Sequence, residues 1–232
     1  MKVLSVAAAH SSWLFDISDL NPKGKSLFPE MFDWLKDNYH FAQAPASIAD
    51  LDKDTKALVF LNGEFQAREE VFVAVELRIF NDGLVANSSS STDDTDKFLE
   101  DVLTSAAAEF SLTFEPAMVR RRQYISELNI RLEQPLGNLN PKLVQFANKL
   151  TAMTAAVNPS AFEVGGISFW ADVTHSVYKI PGFSIERKIN APFNENRFFS
   201  RAPLKTQEHI AMLEELEGIL APPPAALRGV VS

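Results

Sequence analysis

Apolar and polar residues alternate with a period of two along several segments of the chain, which is the pattern of half-buried β-strands. The clearest segment is 71–80, in which one alternating set is wholly apolar and should face the core: Val71, Val73, Val75, Leu77 and Ile79. Segments 122–133 and 182–191 repeat the pattern, and in the first of these Arg131 faces the side opposite Leu128 and Ile130. The segment 57–61 is apolar at every position, which predicts a central strand buried on both faces. A short strand is also predicted at the amino terminus, and another over 161–171.

Two dipeptides predict where neighbouring strands turn back. Asn62-Gly63 and Asp82-Gly83 each lie between apolar, alternating runs. Asn, Asp and Gly tolerate the positive φ angles that tight hairpin turns require. The sequence therefore predicts two β-hairpins and a largely antiparallel sheet.

Four segments show the helical spacing of apolar residues instead, at about 28–38, 93–110, 141–153 and 206–220. The fold class predicted is α+β, a largely antiparallel sheet with β-hairpins and about four amphipathic helices packed on it. One domain is expected over 1–220. A division into sub-halves 1–112 and 113–220 stays open, because Thr92 and Thr206 precede similar helices. The remainder, 221–232, contains three consecutive prolines and predicts a flexible tail.

Composition argues against several classes of partner and of catalytic chemistry. The 232 residues carry a net charge of -8, which argues against nucleic acid as a partner, because phosphate binding needs a basic face. The chain has no cysteine, so disulfides and thiolate chemistry are excluded. No apolar run approaches the length of a membrane span. We therefore expect a cytoplasmic protein that uses no cofactor and contacts neither membranes nor nucleic acid.

Two groups of residues have side chains suited to catalysis or metal binding. Asp172, His175 and Ser176 bring together a carboxylate, an imidazole and a hydroxyl, the groups of a hydrolase triad, but no nucleophile-elbow glycines surround the serine. A second group is acidic: Asp93, Asp96 and Glu100 could share a helix face and hold a hard cation. Carboxylates in a first helical turn also stabilise the helix, and we favour that interpretation. The sequence thus predicts neither a catalytic nor a metal site.

A third group predicts an interaction surface. Trp13 and Phe15 lie in a segment that otherwise reads as polar and turn-forming, and Arg120, Arg121 and Arg122 form the strongest basic run. Large apolar side chains in such a segment must be covered by the protein's own core or by another chain. The leading functional prediction is a non-catalytic assembly protein, acting through self-association or a protein partner. The alternatives are a metal-assisted or Ser/His hydrolase and a small-molecule binding module with a phenylalanine-lined pocket.

Overall fold

The computed structural model describes residues 1–24, 30–157, 160–172, 174 and 180–222. The predicted α+β class is confirmed: the described residues form an eight-stranded antiparallel sheet and four α-helices. The strands are β1 (Lys2–Leu14), β2 (Leu58–Arg68), β3 (Val71–Phe80), β4 (Gly83–Ser88), β5 (Arg121–Arg131), β6 (Gly166–Phe169), β7 (Phe183–Arg187) and β8 (Arg197–Ala202). The helices are α1 (Glu30–Asn38), α2 (Thr92–Phe110), α3 (Pro141–Thr154) and α4 (Thr206–Leu220).

The sheet has the order β2-β3-β4-β1-β5-β8-β7-β6, with β1 and β5 as antiparallel neighbours at its centre. One strand, one helix, three strands and a further helix follow each other twice along the chain, from β1 to α2 and from β5 to α4. Each set contributes four adjacent strands to the sheet. This repetition is what a division near residue 112 would produce. Whether the chain is one domain or two sub-halves stays a prediction.

The starts of α2 and α4 meet at the junction of the two sets. The backbone N–H of Thr92 donates to Oγ1 of Thr206 at 3.0 Å, and the N–H of Thr206 donates to Oγ1 of Thr92 at 2.9 Å. Both threonines are buried. Each hydroxyl thereby satisfies a backbone donor that the first turn of the other helix leaves unpaired. The two sets are thus joined by hydrogen bonds as well as by the β1–β5 pairing.

Helices α1, α2 and α4 pack on one face of the sheet and enclose two apolar cores. In the first core, α1 and α2 cover β1 to β4, with Phe60, Leu77 and Phe98 among the fully buried side chains. In the second core, α4 covers β5, β7 and β8, with Ile130 and Phe198 at its centre. No helix in the described part of the chain is both long and apolar enough to cross a membrane.

One predicted hairpin is wrong. Asn62-Gly63 lies inside β2, which continues to Arg68, and the turn to β3 falls at residues 69–70. The β2–β3 register shifts between Phe60 and Gly63, and Asn62 has a φ of 55°. A side chain at position 63 would collide with the ring of Phe41, 2.5 Å from where its Cβ would lie. The dipeptide therefore forms a β-bulge beneath the Phe41 ring. This bulge requires a positive φ angle just as a tight turn does.

The second hairpin forms as predicted. Residues 81–82 make the turn, and Phe80 pairs with Gly83 where β3 passes into β4. The predicted end of the third helix, at 158–159, lies outside the described residues, as do His175, Ser176 and the tail from 223 onward.

Acid is expected to destabilise the protein through His209, which is buried in α4. The hydroxyl of Ser200 donates to the Ser184 carbonyl at 2.9 Å and lies 2.8 Å from His209 Nε2. Burial lowers the pKa of His209 to about 4, against a weaker opposing effect of the Ser126 backbone.

The unfolded chain therefore takes up this proton near pH 6.5, before the folded protein does. The contribution of the neutral imidazole to the free energy of unfolding is fully present above pH 6.5. It is lost as the pH falls towards 4, by roughly 3 kcal/mol. Urea unfolding at pH 7.0 and 4.5 measures the loss, and a His209→Gln variant should show a flatter pH dependence. Equal pH dependence in both proteins would contradict the assignment.

Candidate functional site

The helices leave the other face of the sheet uncovered, and we call it the open face. Strand register decides which residues belong to it, because residues directly opposite each other on neighbouring strands share a face. Ile130 is fully buried beneath the helices, so its neighbour Arg131 points to the open face. The paired partners of Arg131 on β1 and β8, Lys2 and Arg197, lie on the open face with it.

Charge is divided between the two sides of the protein. The open-face strand residues include six cations and four carboxylates: Lys2, Arg78, Arg121, Arg131, Arg197 and Arg201, with Glu64, Glu76, Glu127 and Glu186. The four helices carry thirteen carboxylates and four lysines, a net charge of -9. The net charge of the chain therefore resides on the helices, and the open face is positive.

Three cations follow one another across the open face where three adjacent strands begin or end. Lys2 pairs with Arg131, and Arg131 pairs with Arg197, so one row crosses β1, β5 and β8. Like charges directly opposite each other destabilise a sheet. Glu195 approaches Arg197 to 3.5 Å, and the buried Nε of Arg197 has no hydrogen-bond partner. We call Lys2, Arg131 and Arg197 the cation row. It is an arrangement that an anion would stabilise.

His10 lies near the middle of the open face, between Asn87 on β4 and Ile125 on β5. Burial lowers the pKa of His10; Glu127 and Glu76 oppose this effect, whereas Arg201 and Arg78 add to it. Arg201 and Glu127 form an ion pair at 3.4 Å. The Asn87 amide donates to Glu76 at 3.1 Å. Glu127 and Glu76 in this central region thus interact with neighbouring side chains, whereas the cation row contains more positive than negative charge.

Trp13 and Phe15 are not at an interaction surface. Trp13 lies on the helix-covered face of β1 and Phe15 directly follows that strand; they are 2 % and 3 % exposed, inside the first core. The predicted interface role is therefore wrong in this fold. The sequence reads as polar around them because β1 continues to Leu14 and its outward positions are solvated.

The three consecutive arginines do not form the single charged rim that the sequence predicted. Arg120 pairs with Asp19 at 3.3 Å. Arg121 belongs to the open face, where it is paired with Leu14. Arg122 points to the other side, and its guanidinium lies 4.1 Å from the centre of the Trp13 ring. The alternation of a strand separates neighbours in sequence, so a basic run becomes three separate contacts.

The acidic residues at the start of α2 are engaged in structural contacts. Asp96 accepts hydrogen bonds from Trp13 Nε1 at 2.8 Å, from the Tyr124 hydroxyl at 3.0 Å and from Lys205 Nζ at 3.2 Å. Asp93 lies 3.9 Å from Lys205. Among the described residues, no three His, Asp or Glu side chains are grouped to hold a metal ion, and Glu100 is exposed. The Asp96 carboxylate instead joins both sets of strands.

Asp172 is exposed and accepts hydrogen bonds from the N–H and the hydroxyl of Thr174, at 2.9 and 2.6 Å. These hydrogen bonds lower the pKa of Asp172. Since His175 and Ser176 lie outside the described residues, a meeting of the three groups stays a prediction.

An apolar cavity of about 480 Å³ lies between α1, α2 and the edge of the first core. Leu35, Ile79 and Val102 are among its walls, and phenylalanines line it at positions 32, 80 and 114. None of the described residues that line it is charged, and Ser18 and Asn21 are among its polar residues.

No family model and no curated protein matches the sequence. Among solved structures, the chain is similar to TBP of Methanococcus jannaschii, with 12 % identity and a TM-score of 0.43. The similarity covers 94 % of this chain and 97 % of that one. A similarity this weak does not assign a function to this chain. The function is therefore inferred from the residues on the chain's own surface.

Two predictions from the sequence are contrary to the name of this solved structure, a TATA-box binding protein, and they are corrected on the residues of this chain. We correct both: the non-catalytic assembly protein with a protein or homo-oligomer partner, and the absence of a nucleic-acid partner. The residues themselves agree with the corrections. Trp13 and Phe15 are buried, so they do not form an interaction surface. The net charge of -8 belongs to the whole chain, whereas cations outnumber carboxylates on the open face.

Proposed function

We propose that the protein binds nucleic acid on the open face of its sheet. The observation that carries the proposal is the cation row, Lys2, Arg131 and Arg197, on a face that the helices leave uncovered. The partners of these cations in the strand register are cations rather than carboxylates, and Glu195 approaches Arg197 from outside the sheet, so a phosphate backbone placed over the row relieves repulsion as well as forming ion pairs. Arginine guanidinium groups also fit phosphate oxygens in a two-point geometry.

The acidic helices do not prevent such binding. Their charge lies behind the sheet, about 10 Å from the open face, which is the packing distance of helices and sheets on a strand layer. The Debye length is also about 10 Å at 0.1 M salt, so salt weakens the repulsion between the helix carboxylates and a ligand on the open face. The cations at the surface of the sheet would contact the phosphates directly. We place this activity in the cytoplasm, in agreement with the sequence-based expectation.

Replacing the cation row is expected to weaken nucleic-acid binding. The triple variant Lys2→Ala, Arg131→Ala, Arg197→Ala removes three phosphate contacts and should raise Kd about tenfold or more at 50 mM salt. Its salt dependence should also become shallower, by about 2 in the slope of log K against log salt. Fluorescence anisotropy with labelled oligonucleotides measures both quantities.

A matched control removes the same charge from the helix side. Lys36 on α1, Lys97 on α2 and Lys142 on α3 are exposed, and none contributes to the open face. Their replacement by alanine should leave Kd within about twofold, because distant charges are screened. Equal weakening in both triple variants would show a non-specific charge effect and refute the proposed site.

A further inference from the structure

We infer that the nucleic acid bound on the open face is single-stranded and that its bases stack on Phe72 and Phe199. This inference rests on the proposed function. It adds the class of nucleic acid and the residues that distinguish this class from a duplex.

Two aromatic rings on the open face each stand beside a side-chain amide. Phe72 on β3 is 63 % exposed and is paired with Gln66 on β2. Phe199 on β8 is half-buried and is paired with Asn129 on β5. A ring next to a carboxamide matches an unstacked base, because the ring covers the face of the base while the amide can hydrogen-bond its edge. At Phe72 the Gln66 amide fills this role. The Asn129 amide already donates to Ser5 Oγ at 3.0 Å and accepts from Lys188 Nζ at 2.7 Å, so Phe199 contributes its ring alone.

An undistorted duplex cannot use these rings in the same way, because a ring enters a duplex only by unstacking a base step, at a cost of a few kcal/mol. Its bases are stacked on one another, and it presents phosphates and base edges to a flat surface. A single strand exposes base faces, and stacking on an aromatic side chain tolerates any sequence because every base has a π-face. The two rings therefore favour the single strand, whereas the cation row attracts both forms.

The space between the rings suits an extended strand. Phe72 and Phe199 lie on strands separated by β4, β1 and β5, which places them about 19 Å apart across the sheet. On β1, the row that contains Phe199 and Asn129 reaches Ser5, and the next open-face residues along the strand are Ala8 and His10. A backbone can cross this region close to the sheet, with several nucleotides between the two stacked bases.

The experiment compares three labelled ligands by fluorescence anisotropy: a 12-mer of deoxythymidine, an abasic 12-mer with the same backbone, and a 12-base-pair duplex. The double variant Phe72→Leu, Phe199→Leu should lose about tenfold or more in affinity for the deoxythymidine 12-mer. Its affinity for the abasic 12-mer should stay unchanged, since the phosphate contacts remain. The native protein should bind the deoxythymidine 12-mer more tightly than the abasic one.

Phe169 supplies the control. It is 62 % exposed, nearly the same as Phe72, but its register with Phe183 places it on the helix-covered side of β6. Phe169→Leu should leave all three affinities unchanged. Circular dichroism establishes that each variant is folded. If Phe199→Leu disturbs the fold, the affinities are compared with Phe72→Leu alone, which changes an exposed position.

The outcomes separate the two proposals. Duplex binding as tight as single-strand binding, or a double variant with native affinity for deoxythymidine, overturns the single-strand inference while leaving the open face as a nucleic-acid site. Failure of the native protein to bind any of the three ligands, or a cation-row variant no weaker than its control, overturns the proposed function itself.

Discussion

Replacement of Trp13 by alanine is expected to lower the free energy of unfolding by about 4 kcal/mol. The indole is 2 % exposed, lies in the first core and donates its N–H to Asp96 at 2.8 Å. The substitution removes a large buried side chain and leaves a cavity. It also leaves one oxygen of a partly buried carboxylate, Asp96 Oδ1, without its donor.

The matched control is Trp170, whose side chain is 80 % exposed. Trp170→Ala should change the free energy of unfolding by no more than about 0.5 kcal/mol, as is usual for an exposed position. Urea or thermal unfolding followed by circular dichroism compares the two variants. A loss below about 1 kcal/mol for Trp13→Ala would contradict the core position of this side chain.

The second large effect is expected at Gly83, where β4 begins. This residue has a φ of 150°, and a Cβ built on it would lie 2.1 Å from the Trp13 carbonyl oxygen. The obstacle is the backbone of the neighbouring strand, so a side-chain movement cannot relieve it. Gly83→Ala should therefore cost about 3 kcal/mol or more, from strain and from the displaced β1–β4 pairing.

Gly218 is the control for the same substitution. It lies in α4, is exposed, and has no atom within 4 Å of the Cβ that alanine would add. Gly218→Ala should raise stability by about 0.5–1 kcal/mol, because alanine has the higher helix propensity. Chemical unfolding of both variants should thus give changes of opposite sign. A Gly83→Ala protein as stable as the native one would refute the close approach.

Local patterns predicted the elements better than their boundaries. The alternation over 71–80 correctly identified Val75 and Leu77 as core residues of β3, whereas Val71, predicted on the same face, is 44 % exposed at the edge of the hairpin. The period of two also assigned Arg131 to the side of β5 opposite Leu128 and Ile130, as observed. The prediction at Asn62-Gly63 was wrong because a bulge and a turn require the same backbone conformation. The approach of Phe41, twenty-two residues earlier, decides between them.

The site could not be found from sequence for a related reason. Lys2, Arg131 and Arg197 are far apart along the chain, and the sequence contains no basic run at any of them. Their only local signal is that each occupies an outward position of an alternating strand. The consecutive arginines at 120–122 gave a stronger signal, but their side chains point to different sides of the sheet.

The sequence by itself determined the α+β class, the hairpin at residues 81–82 and the face on which most strand residues lie, because side-chain alternation and turn chemistry act over a few residues. Only the tertiary structure decided that β1 pairs with β5, that Trp13 is buried, and that three distant cations form one row. Pairing between remote strands depends on how both faces of the whole sheet can be covered at once. This global packing places three helices on one face of the sheet and leaves the cations on the other. A short segment of the sequence does not contain the information that determines it.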